Sequence, residues 1–65
     1  MEKLKELRRI AVMSREELAE EAGIHYETLR RIETGSQEPR AKTIRKLAGA
    51  LGVEPQQLLK EGGDA

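Results

Sequence analysis

The chain has no cysteine, no phenylalanine and no tryptophan, and only one tyrosine, one histidine and two prolines. Without cysteine there is no disulfide staple, no thiolate zinc site and no cysteine nucleophile. The lone His25 cannot build a multi-histidine metal site. Nor do 65 residues offer the walled pocket in which it could serve a Ser–His pair. No catalytic constellation is left, so neither an enzyme nor a cofactor or metal is expected. Long apolar runs are missing too. The longest spans residues 10–13, far short of the roughly 18 apolar residues of a membrane span. A basic-then-apolar leader is also absent, which points to the cytoplasm. Charge of one sign is lacking as well: 12 basic and 12 acidic residues cancel to zero. Taken as a bulk number, that balance argues against nucleic acid.

What is present reads as one small all-α domain. Seventeen large apolar residues and seven alanines allow a small core, in a chain short enough to bury only about 60% of its unfolded surface. Valine and isoleucine never alternate over a strand's length, while Leu, Ala, Glu, Lys and Arg dominate. A first helix is expected over 2–11, with Leu4, Leu7 and Ala11 as its apolar stripe. Ser14 followed by Glu17 is the spacing of a capping box opening a second helix, which Gly23 ends. A third helix is expected over 26–34, closed by Gly35. Only Leu29 and Ile32 give it an apolar ridge, so most of its circumference is left to face something else. A loop over 35–40 leads to a fourth helix over 41–51, carrying Ile44, Leu47, Ala48 and Leu51 and ended by Gly52. Pro55 suits the first position of a short fifth helix with Leu58 and Leu59. The domain is expected to end at 61, with 62–65 as a fraying tail, and the Met1 start with this tail suits a complete small protein.

The spacing in the middle of the chain carries the function. Leu18, Ala19, Gly23, Ile24, Leu29 and Ile32 are placed as two helices meeting steeply across a tight turn require. Ala19 is small where one helix crosses over the other. Gly23 turns the chain at positive φ, and the larger residues pin both helices to one core. Residues 15–34 therefore predict a helix-turn-helix.

From Leu4 to Leu59 the chain resembles the phage-repressor family, also described as Cro-like or xenobiotic-response-element (XRE) helix-turn-helix proteins. The resemblance lies in Leu7-Arg8, then Met13-Ser14-Arg15-Glu16-Glu17-Leu18-Ala19, then Ala22-Gly23-Ile24. It continues through Leu29-Arg30-Arg31-Ile32-Glu33-Thr34-Gly35, Pro39, the stretch from Leu47 to Val53, and Leu58-Leu59. It implies a compact five-helix, lambda-repressor-like DNA-binding domain that sets its third helix in the major groove of double-stranded DNA. The implied base-facing residues are Tyr26, Glu27 and Arg31, flanked by Arg30. Arg15, His25 and Thr34 match positions that touch phosphate or cap the recognition helix, and Gln37 and Arg40 belong to a loop along the backbone. Arg8 and Glu33 match a structural salt bridge between the first helix and the end of the third. The resemblance also implies a homodimer, weak or induced by DNA, in a bacterial, archaeal or phage-type regulator. Its patch would lie around Val53, Leu58 and Leu59, with Leu58 better read as core.

Chemistry supports these roles. Arg31 can donate a bidentate pair to guanine, Glu27 can accept from a cytosine amino group, and Tyr26 can pack on a thymine methyl. Each has a plainer reading. Arg30 and Arg31 could be solvated surface, Tyr26 a core-edge residue, His25 a cap, and Glu27 could point aside from a phosphate-lined groove. A different class of function also stands: a helix-turn-helix-shaped module that docks on a protein such as a toxin or the transcription machinery. Three positions depart from the family pattern. Val12 stands where glycine is common, so the first helix has to end without the easy left-handed residue. Thr34 replaces a frequent asparagine, and Arg40 leaves the fourth helix poorly capped. The charge balance also divides unevenly. Residues 23–46 carry six basic and three acidic groups, a local +3.

Overall fold

A computed structural model of the chain describes residues 1–59. The expected domain end at 61 and tail over 62–65 lie outside the described residues. Five helices follow one another: α1 (Glu2–Ile10), α2 (Arg15–Ala22), α3 (Tyr26–Thr34), α4 (Ala41–Leu51) and α5 (Pro55–Leu59), with no strand among the described residues. Helix α2 packs on α3 and α4, α4 packs on α5, and α1 closes the bundle against α3 and α5. Leu4, Leu18, Leu29, Ile32, Leu47 and Leu58 are fully buried where these faces meet. Every helix therefore contributes at least one residue to a single core, so truncating any of these six residues to alanine removes packing shared by several helices.

Local chemistry sets the boundaries. The Ser14 hydroxyl accepts from the Glu17 amide at 3.0 Å, and the Glu17 carboxylate accepts from the Ser14 amide at 2.9 Å. Both halves of the capping box are thus in place. At the other end of α2, Gly23 takes φ 73°, and the Ile24 amide donates back to the Ala19 carbonyl at 3.0 Å. This 6→1 closure turns the chain toward α3, while Ala19, only 3% exposed, lets the helices approach.

Helix α1 ends in the same way with a less suitable residue. It stops at Ile10, one residue short of the expected range, and Ala11, expected in the apolar stripe, is exposed. Val12 itself adopts the left-handed conformation at φ 57°, and the Met13 amide donates to the Arg8 carbonyl at 3.1 Å. The easy left-handed residue, glycine, is missing here as expected, and the turn is made all the same, with a β-branched side chain in a region costing it about 1–2 kcal/mol. Two anchors hold the turn in place. Met13 packs against the core, and its carbonyl accepts from Arg8 Nη1 at 2.9 Å.

Candidate nucleic-acid interface

Helix α3 is held from beneath by Leu29, Ile32 and, less expectedly, Glu33, all buried. Its remaining face is open. Tyr26 is 42% exposed, Glu27, Arg31 and Thr34 are exposed, and Thr28 and Arg30 are half-buried. His25 occupies the N-cap position with extended backbone, in keeping with its reading as a cap, and its side chain makes no cap hydrogen bond. No side chain caps the first-turn amides of α3, which leaves them suited to an anion. At the other end, the Met1 ammonium donates to the carbonyls of Ile32 at 2.8 Å and Glu33 at 3.2 Å, placing a cation where the helix dipole favours it.

Two charge clusters organise this face from opposite sides. In the first, Arg8 grips the Glu33 carboxylate through Nε at 2.6 Å and Nη2 at 3.2 Å. Arg15 adds Nε at 2.9 Å from the start of α2. The Glu33 side chain is entirely buried, so α1, α2 and α3 are tied at one carboxylate. Burial by itself would raise its pKa, but the hydrogen bonds and charges of Arg8 and Arg15 outweigh that and hold it below its ordinary value. Arg15 is pushed above its ordinary value by the hydrogen bond to Glu33 first and by Tyr26 second. Arg15, expected as a DNA contact, is thus tied to the buried acid.

The second cluster lies wholly on α3. Glu27 accepts from Arg30 Nε at 3.2 Å and also from its Nη2, and Arg31 Nε lies 3.4 Å from the same carboxylate. Hydrogen bonds from Arg30, reinforced by the charge of Arg31, hold Glu27 below its ordinary pKa. Of the two readings open for Glu27, neither anticipates this. The acid is paired with both arginines that the resemblance sets toward bases.

The remaining expected contacts stand apart. Thr34 Oγ1 bonds the Arg31 carbonyl and meets Ser36 Oγ, each at 3.3 Å. Gln37 and Arg40 are exposed, and the Gln37 and Ser36 amides both bond the Arg31 carbonyl, which ties the loop to the end of α3. Arg40 stands at the N-cap position of α4, and its side chain makes no cap hydrogen bond. Lys42, Arg45 and Lys46 are also exposed on α4. Individual motifs did not single them out, although the local +3 counts all three.

Two helices crossed over Ala19, the second offering a polar face, define a helix-turn-helix. A family model described as helix-turn-helix matches residues 4–58, and the chain belongs to that family, of the XRE type. It is a family of DNA-binding regulators rather than of enzymes, with DNA as partner, and docking on a protein instead is not favoured. No curated protein and no solved structure shows significant similarity to the chain. Among the described residues, no helix is long and apolar enough to cross a membrane.

Proposed function

We propose that the protein is a sequence-specific reader of double-stranded DNA that regulates transcription as a repressor, with α3 in the major groove. One observation carries this reading: α3 is anchored through Leu29, Ile32 and Glu33 while Tyr26, Glu27, Arg30 and Arg31 stay accessible on its outer side. Arg31 donates to guanine O6 and N7, Tyr26 packs on a thymine methyl or bonds a phosphate, and Arg30 flanks them. Arg15, His25, Thr34, Gln37 and Arg40 set the register on phosphate, together with the uncapped amides of α3.

The protein acts in the cytoplasm as a homodimer on two half-sites about 34 Å apart. Leu59, 62% exposed, borders a groove of about 360 Å³ lined by Met1, Ile32, Pro39, Ile44 and Leu58, which supports pairing at this end. Leu58 is fully buried and belongs to the monomer core.

Selection from a random duplex pool at moderate salt tests the reading. A consensus is expected, and Arg31→Ala should lose about 1–3 kcal/mol on it while relaxing one base position. Recovery of no preferred sequence would sink the specific-reader reading.

A further inference from the structure

An arginine on an exposed recognition helix is attracted to any phosphate, whatever the sequence. Here both such arginines already have a partner. Arg30 and Arg31 converge on Glu27 at i,i+3 and i,i+4 spacing, the separations at which helix side chains meet. Moving one arginine to a phosphate breaks an ion pair, and moving both leaves a carboxylate beside the DNA backbone with nothing to accept from. On an arbitrary duplex nothing compensates. On a site with a cytosine amino group within reach of Glu27 and a guanine within reach of Arg31, every group finds a partner: N4–H donates to the carboxylate, and the guanidinium donates to O6 and N7.

We propose that Glu27 determines specificity by restraint. It competes with phosphate for Arg30 and Arg31, and it releases them fully only at a site that carries a cytosine within its reach in a neighbouring base pair, beside the guanine read by Arg31. This rests on the major-groove reading above and adds the base that this reading lacks. The three side chains are about half exposed, at 49%, 42% and 54%, so solvent screens the restraint. Its effect is therefore several-fold rather than many orders of magnitude.

The test compares the unaltered protein, Glu27→Gln, and Glu21→Gln, which makes the same charge change on an exposed residue near the end of α2 with no arginine to release. Each is titrated by fluorescence anisotropy against a random-sequence duplex over a range of salt, and against the selected consensus with its cytosine replaced. Glu27→Gln should bind the random duplex about three- to tenfold more tightly. Its plot of log K against log salt should steepen by about 0.9 for each arginine freed. Discrimination at one cytosine should disappear. Glu21→Gln should change affinity less and leave the cytosine preference intact. Equal shifts in the two variants, or no change on random duplex with Glu27→Gln, overturn the proposal. The two readings fail separately: a protein that selects no sequence sinks the base-reading role, while the random-duplex comparison still registers whether the arginines were held.

Discussion

Glu33 and Glu27 each sit between two arginines, and both belong to α3. Around Glu33 the carboxylate is fully buried, Arg8 is 13% exposed and Arg15 29%, and the three side chains come from three helices. Around Glu27 all three come from one helix, and each keeps about half of its side chain in water. The same chemical triad therefore does different work. The buried one joins separate helices and cannot lose a member without stranding a charge. The exposed one contributes little to folding, and its arginines can be withdrawn when a better acceptor arrives. Burial, not composition, divides the structural acid from the one proposed to act on DNA.

Removing the buried acid should break this contrast most severely. Glu33→Ala leaves Arg8 and Arg15 facing each other without a counterion, at a cost of about 3–5 kcal/mol. Thermal melts should fall by more than about 10 °C in a domain of this size, and an unchanged melting temperature would deny the cluster its structural role. Acid acts on the same carboxylate. Its folded pKa lies below the ordinary value of 4.5, so the folded state binds fewer protons than the unfolded one. The stability it contributes is present above about pH 4.5 and is lost as pH falls through the depressed folded value. Melting temperature should drop across that window, and Glu33→Ala should flatten the drop.

A milder change sharpens the geometric part of the comparison. Arg8→Lys keeps the charge but cannot reproduce the two-pronged grip on Glu33 or the added bond to the Met13 carbonyl. A loss of about 1–2 kcal/mol is expected in denaturant titrations. Smallest of all, Glu27→Gln should move the melting temperature by less than about 3 °C. That shift should shrink further in 1 M salt, where the screening length is about 3 Å. A large loss of stability there would mean that the two triads are not different in kind.

Much of this was legible in the residues. The ends of α2, α3 and α4 fall where Ser14, Gly23, Gly35 and Gly52 place them, because capping and left-handed turns are local events. The Arg8–Glu33 pairing followed only from family resemblance, since no local rule brings residues 25 apart together. Arg15 joining that pair was not legible, because it depends on how α1, α2 and α3 converge. The Glu27 cluster was different. Its i,i+3 and i,i+4 spacing was visible in the chain, but spacing permits a pairing without deciding whether exposed side chains meet one another or reach outward. Val12 shows the limit of residue preference. The packing of Met13 against the core and the start of the capped helix after it set a left-handed residue at 12, whatever its side chain.

The uneven charge along a neutral chain has a kinetic consequence. Six cations of residues 23–46 include four, Arg40, Lys42, Arg45 and Lys46, for which no ion pair is found among the described residues. The acidic side chains of α2, by contrast, are mostly exposed. Neutral overall, such a molecule feels little pull from DNA at long range, and within a Debye length of about 10 Å its local charges are felt one by one. On the DNA-facing side proposed above, those four cations then favour approach from that side: slow encounter is exchanged for little adhesion in other orientations.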